Sequence, residues 1–421
     1  MKNKIMKTLC VLCACAALLS GCGKTKIIMT TDKAPATAGA QTAINYAYDS
    51  KTESNSGKNS QPTVPKVEIS PAAKYFMQFL DDGTKDVYKQ LYSGLLSFSE
   101  SIDVTDKVIK KNDIGKLLEM CASSSPEITY IGQEYTVCID SEDYVTELNV
   151  TYSKTPAQAN SERDALENKA EVILSGISKK WGDYEKVKYF HDAIIQNCDY
   201  SEEGKDPYSA YGCLYDGKAV CEGYSKAMQY LCDKSGIICI PVTGKGNSDG
   251  NLQPHIWNKI KINGKWYCFD VTWDDPVSEF ESGYVRYDYF AITDEEMNRD
   301  HSVEENPYMK YPEAVSKEAD YFVKSKLFCD SSTDYVQLLT DTVNDTMMKN
   351  QTYARIKCSD KDTYDKLLNE IFAQEEDSSA KIFSILSDCV DRGNVSYSKY
   401  KYSLIKDDVM YTVTVKLSRD S

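Results

Sequence analysis

Cys221, His255 and Asp270 are the residues whose types and spacing could do chemistry. They lie in two stretches, GKAVCEGYSKAMQYLCDKSGI and PHIWNKIKINGKWYCFDVTWDDP. The second predicts a β-hairpin whose register can be derived. Asn263-Gly264 signals a type I′ turn, which needs positive φ at both central residues. Strand-type runs flank it, His255 to Ile262 and Lys265 to Thr272. Such a turn pairs Ile262 with Lys265, so Asp270 falls opposite Trp257 and His255 opposite Thr272. Side chains alternate between faces. His255, Trp257, Trp266, Cys268, Asp270 and Thr272 therefore share one face. Ile256, Ile260, Ile262, Tyr267, Phe269 and Val271 share the other, an apolar face made for a core. His255 and Asp270 are diagonal neighbours, with Cβ atoms within about 7–8 Å, close enough for an imidazole to reach a carboxylate. A slip of one residue would separate them, and the turn forbids the slip.

The first stretch predicts a helix. Tyr224, Ala227 or Met228, and Leu231 recur at helical spacing, and Gly236 supplies a stop. Gly217 and Gly223 loosen the backbone around the entry. Cys221 then sits at the helix N-terminus, where the dipole and free N–H groups favour a thiolate. An imidazole beside it would complete a thiolate–imidazolium pair, with Asp270 holding the ring. The same N–H groups could receive an oxyanion.

At these residues the chain resembles the bacterial transglutaminase-like superfamily. The resemblance rests on AVCEGYSKAMQYLCDKSGI, HIWNKIKINGKWYCFDVTWDDP and YFAITDEEMNRDH, in that order, and spans Tyr184 to His301. It implies an α+β fold: a papain-related core with the nucleophile helix packed on an antiparallel sheet, flanked by smaller N- and C-terminal α/β regions. It also implies Cys221 as nucleophile, His255 as base and Asp270 as orienting acid. The superfamily includes cross-linking transglutaminases, amidases, peptidases and members without activity. Cys221 is followed by Glu-Gly rather than tryptophan, and no calcium-loop spacing is present, so calcium-activated cross-linking is not the expectation.

Length and composition frame this unit. The chain has 421 residues, enough for two or three domains. Lys2, Lys4 and Lys7 precede an apolar run, Leu9 to Leu19, too short to span a bilayer. It ends Leu19-Ser20-Gly21-Cys22, which resembles a lipobox. Residues 1–21 then read as a lipoprotein signal peptide and Cys22 as the lipidated residue, giving an exported, lipid-anchored, extracytoplasmic protein. Without those three lysines, 46 basic residues face 64 acidic ones, a net charge of −18. That argues against nucleic acid and against electrostatic docking on anionic lipid. Residues 22–70, rich in Ser, Thr, Ala, Asn and Gln, read as a lipidated cysteine and flexible tether.

Residues 71–158 predict a small α/β region, with helices near Tyr75–Leu80 and Val87–Leu96 and strands at Ile128–Ile131, Tyr135–Ile139 and Tyr144–Tyr152. Residues 159–310 form the expected catalytic core, in which Ala165 to Asn197 predicts two helices broken around Gly182. Residues 311–421 predict a separate α/β accessory domain. Its strands are expected at Ala319–Phe328, Ala354–Cys358, Val395–Leu404 and Val409–Leu417, its helices at Tyr335–Met348, Asp362–Phe372 and Ala380–Val390.

His191 and His301 are the other histidines. Nothing pairs His191 with a thiol or an orienting acid, so it reads as a packed helix residue. His301 reads as a structural or rim residue. Cys268 shares the His255 face and reads as packing, with a second reactive thiol as the alternative. The remaining cysteines show no metal-ligand spacing, so no metal or other cofactor is expected. An exported chain permits disulfides, but the scatter of Cys121, Cys138, Cys198, Cys213, Cys232, Cys239, Cys268, Cys329, Cys358 and Cys389 favours free thiols. Asp274, Asp275 and Asp294 to Glu296 read as solvated loops. Trp257, Trp266 and Trp273 are candidates for an aromatic wall binding a peptide or protein substrate.

Two function classes follow. One is an exported, membrane-anchored thiol enzyme acting on peptide or protein amides through a thioester, with hydrolysis favoured over cross-linking. The other is a cell-surface binding or scaffold lipoprotein that keeps the fold without turnover.

Overall fold

The computed structural model describes residues 25–30, 47–48, 68–248, 250–275, 280, 284–372, 381–392 and 400–419. The Leu9–Leu19 run and Cys22 lie outside these. Among the described residues no helix is long and apolar enough to cross a membrane.

The centre is the helix Cys221–Lys234, buried on every side from Cys221 and Tyr224 to Leu231 and Cys232. Its buried polar side chains are bonded: Lys226 to Glu222 at 2.7 Å and Gln229 to the Ser124 carbonyl at 2.8 Å. Beside it lies a five-stranded antiparallel sheet. Its strand order is Phe290–Ile292, Lys265–Phe269, Asn251–Ile262, Cys239–Ser248 and His301–Val303. The hairpin has the derived register, from Lys265 opposite Ile262 to Phe269 opposite Asn258. Asn263 and Gly264 take φ of 49° and 83°, as the turn requires. Ile260, Ile262, Tyr267, Phe269 and Val271 enter one core with Ala227, Leu231 and Phe190. This is the apolar face read from the alternation. The other face is also covered: Trp257 and Cys268 pack with Tyr289, Met297, Ala314 and Met410.

Two helices, Pro156–Leu174 and Asp183–Asn197, precede the Cys221 helix. The first starts ahead of residue 159 because Thr155 and Gln158 form a capping box and Pro156 opens the first turn. The N-terminal region has helices Pro71–Met77, Asp82–Leu96 and Ile114–Ser123 against a second sheet. Its long strands are Ile131–Ile139 and Val145–Tyr152. That sheet also holds Thr25–Thr30 and Ala47–Tyr48, so part of the expected tether is strand.

The C-terminal region has its own core. Its sheet order is Phe328–Cys329, Tyr353–Cys358, Thr412–Arg419 and Tyr400–Asp407. Helices Tyr335–Met348, Lys361–Phe372 and Lys381–Arg392 fall close to expectation. The expected strand at Ala319–Phe328 does not form. Asp320 instead caps a short helix, Tyr321–Lys324, accepting from the Phe322 and Val323 amides. Only Phe328–Cys329 remains extended. Nor is the region detached. Asp288 of the central part accepts from buried Arg355 (2.6 and 2.8 Å), from half-buried Arg286 (2.7 Å) and from the buried Thr412 hydroxyl (2.7 Å). Buried Lys357 lies between Glu296 (3.2 Å) and Asp320 (3.3 Å).

Candidate active site

Cys221 is the first residue of its helix. The residue before it, Val220, is extended and offers no side-chain acceptor to the helix end. The first-turn N–H groups therefore keep their donor capacity for something else. Gly217 takes a φ of +73° on the way in. Gly223 serves close packing rather than looseness: a Cβ there would lie 2.5 Å from the Pro207 carbonyl oxygen.

His255 comes from the long strand of the hairpin and Asp270 from the residue just past its partner strand. The His255 Nε2 donates to Asp270 Oδ2 at 2.5 Å. Its other nitrogen, Nδ1, is left for the Cys221 thiol, which lies near enough to raise the ring's pKa. Burial disfavours the imidazolium, but the Asp270 carboxylate and then Cys221 outweigh it, and the His255 pKa rises to about 10. Burial likewise opposes charge on Asp270, yet His255 and His301 hold its carboxyl below the usual range. The three candidate residues are thus brought together, with Cys221 only 5 % exposed.

Asp270 is fixed more firmly than the sequence suggested. Its Oδ1 accepts from the amides of Thr272 (3.0 Å) and Trp273 (3.2 Å). Its Oδ2 accepts a second imidazole, His301 Nε2, at 3.1 Å. His301 is buried, and its Nδ1 donates to Asp300 at 2.6 Å, whose other oxygen accepts from the Tyr289 hydroxyl at 2.5 Å. His301 is therefore a positioning residue, not a rim residue. The adjacent Asp300-His301 pair was its sequence signal. Ligand atoms of His255, Asp270 and His301 all lie within 4.8 Å, a cluster that could hold a cation. Both Nε2 atoms already donate to one carboxylate oxygen, so a metal would have to displace two hydrogen bonds.

The aromatic wall needs correction. Trp257 is 2 % exposed and belongs to the core beneath the site. Trp266 turns to the N-terminal region, edge-on to Tyr75 at 5.1 Å. Trp273 alone of the three both flanks the His255 ring, at 5.4 Å, and keeps some exposure. Sequence reading missed Tyr200, which is 39 % exposed. Burial raises its phenol pKa, and the nearby charges of Cys221, Glu202 and Asp270 add to the rise. Its strand pairs with Ala219, just ahead of Cys221.

His191 is a packed helix residue, as expected, but it does have acid partners. It is fully buried between Asp192 (3.2 Å) and Asp274 (3.1 Å). Asp274 is consequently not solvated, and Asp275 is half-buried. Asp274 holds His191 and the Tyr289 amide, and Asp275 accepts from the Tyr224 hydroxyl at 2.5 Å. Nor is Asp294 to Glu296 a solvated loop. It opens a short helix capped by Thr293, with Asp294 paired to Lys259 at 2.6 Å and Glu296 to Lys357. Cys268 is fully buried and donates to Asp294 at 3.1 Å; burial pushes its thiol well up, so it is packing.

Known proteins share this part of the chain. Residues 172–271 match the model of the transglutaminase-like superfamily. Kyphoscoliosis peptidase of Mus musculus is 24 % identical over 138 residues, covering 28 % of this chain and 21 % of that protein. The Homo sapiens protein of the same name is 23 % identical over 116 residues, covering 24 % and 18 %. The chain thus matches only about a fifth of either relative's length. Among solved structures, a TGase aligns at 15 % identity over 41 % of this chain and 51 % of its own, with a TM-score of 0.25. A candidate cysteine protease from Cytophaga hutchinsonii aligns at 20 % identity over 33 % and 50 %, with a TM-score of 0.22.

Proposed function

With residues 172–271 forming a transglutaminase-like domain, we propose that the chain is a thiol acyl-transfer enzyme acting on peptide or protein amides. One observation carries this reading: a thiol at a helix N-terminus lies near an imidazole that is held by a buried carboxylate. The Cys221 thiolate attacks the amide carbonyl carbon, forming the C–S bond and pushing electrons onto oxygen. The first-turn N–H groups donate to that oxyanion. As the intermediate collapses, the C–N bond breaks and His255 gives its Nδ1 proton to the leaving amine. The thioester is then resolved by water or by an amine, to which His255 acts as base. Resolution by water, giving a peptidase or amidase, is the favoured outcome, and the name of the curated relatives supports it.

Site-resolved alkylation of the full chain tests the reading. With iodoacetamide, Cys221 should react faster than every other cysteine at about pH 5 to 6, as a thiolate–imidazolium pair does. His255→Ala should abolish that advantage. A second reading, a binding protein without turnover, draws on the near-complete burial of Cys221. It prevails if Cys221 is no more reactive than the other thiols and Cys221→Ala leaves function intact.

The same proposal places the enzyme outside the cytoplasm on a lipid anchor. Its support is the Lys2–Lys7 charge, the Leu9–Leu19 run and the Leu19-Ser20-Gly21-Cys22 ending. In the producing cell, Cys22→Ser should move the protein from the membrane to the soluble fraction. Unchanged membrane recovery of that variant would remove the anchor from the account.

A further inference from the structure

The buried cysteines divide into two groups by what their sulfurs touch. Four face oxygen: Cys121 lies beside the Tyr88 phenol, Cys138 reaches Glu147 at 3.8 Å, Cys268 Asp294 at 3.1 Å and Cys389 the Thr340 carbonyl at 3.5 Å. Six face another sulfur. Cys329 and Cys358 lie with Sγ atoms 3.2 Å apart. Cys198 has the Cys213 thiol beside it, with its own thiol also donating to the Asp199 carbonyl at 3.7 Å, and Cys232 has that of Cys239. Cys221 belongs to neither group, since it faces His255.

We propose that the six sulfur-facing cysteines are disulfide sites, paired Cys198–Cys213, Cys232–Cys239 and Cys329–Cys358. The backbone geometry suits this. Cys329 and Cys358 are direct register partners on adjacent parallel strands. Adjacent strands lie about 4.8 Å apart, inside the Cα window of about 4.4–6.8 Å that a disulfide accepts. Cys198 caps the end of the Asp183–Asn197 helix, and Cys213 lies in the short π-helical turn Gly212–Asp216. The amide of Asp199, next to Cys198, donates to the Gly217 carbonyl at 2.9 Å, so backbone contacts already hold the segments together. Cys232 lies in the last turn of the Cys221 helix and Cys239 opens the following strand. The Ile237 amide closes that turn on the Cys232 carbonyl at 2.9 Å.

The oxidant is a disulfide, carried by a small molecule or by a thiol oxidoreductase. One protein thiolate attacks it and forms a mixed disulfide, releasing one oxidant sulfur as a thiol. The partner thiolate then displaces the second. Each bridge passes two electrons and, net, two protons to the oxidant, which leaves as two thiols. Burial and the neighbouring thiol push Cys213 and Cys239 well above the ordinary thiol range, and for Cys358 the contact with Cys329 comes first. Thiolate is therefore scarce in the folded protein, and the bridges form as the chain folds. Two of them bracket the Cys221 helix, one before it and one at its end. The partition also protects the chemistry: Cys221 faces an imidazole and is not consumed.

The test is peptide mapping without reduction. The full chain is unfolded with reductant, refolded in mixed reduced and oxidised glutathione, then digested at acid pH. Cross-linked peptides joining the three named pairs are expected, each lighter by two hydrogens. Cys121, Cys138, Cys221, Cys268 and Cys389 should alkylate after denaturation. Cys358→Ala should lose one bridge and expose Cys329 as a new alkylatable thiol, leaving the other two bridges intact. If refolding fails, the same map is made on chain secreted into an oxidising compartment. Six free thiols, or bridges in any other pairing, would overturn the proposal.

Discussion

Asp270 accepts four hydrogen bonds, two from backbone amides and two from imidazoles. A carboxylate held this way cannot turn, so it fixes the plane of His255 and the direction of its Nδ1. The His255 pKa near 10 ties both stability and activity to pH. A folded value above the ordinary ~6.5 means the contribution to stability is complete below that value. It is lost as pH rises through about 10. The alkaline limb of activity should fall in the same region, and Asp270→Asn should bring it down toward the ordinary imidazole value. His301 acts on the reaction only through Asp270. His301→Leu should lower kcat by about 10- to 100-fold with little change in KM, the scale expected of a small misplacement. His301→Gln, which keeps a donor, should lose less. Steady-state kinetics of the two variants decide it: equal losses would reduce His301 to packing.

The hairpin and the Cys221 helix were the most legible elements. A two-residue turn and a period of two determine a register between neighbours in sequence, and Asn263-Gly264 supplied both. His301 was not legible as a partner of Asp270. The two are 31 residues apart and meet through the far edge of the sheet, where His301 pairs with Gly246. The Trp257 face was misread for a similar reason. Its cover includes Met410, which no local pattern connects to the hairpin. Within the Cys221 helix, Gly223 sets the distance to the Pro207 segment. Gly223→Ala should cost about 1–3 kcal/mol, because overpacking against a backbone oxygen forces the chain to move. It should also slow Cys221 alkylation. Urea titration and thiol labelling measure the two effects, and a variant unchanged in both would show that the helix start tolerates displacement.

Asp288 is buried at the junction of the central and C-terminal regions, shared among Arg286, Arg355 and Thr412. Removing one member of such a cluster leaves a charge with neither water nor partner. Asp288→Ala should therefore cost about 3–5 kcal/mol. Denaturant unfolding measures it, and a loss under about 1 kcal/mol, the range of exposed pairs, would mean the junction is wet. The stretch Arg286–His301 carries Asp288 and Glu296 toward the C-terminal region and Tyr289, Asp300 and His301 toward Asp270.

That shared stretch bears on modularity. A chain shortened near residue 311 would keep Asp288 and Glu296 while discarding Arg355 and Lys357. The two regions cannot be recombined freely with unrelated partners. A domain shuffled onto this core has to bring cations to both positions, and descent should carry the pair as a unit.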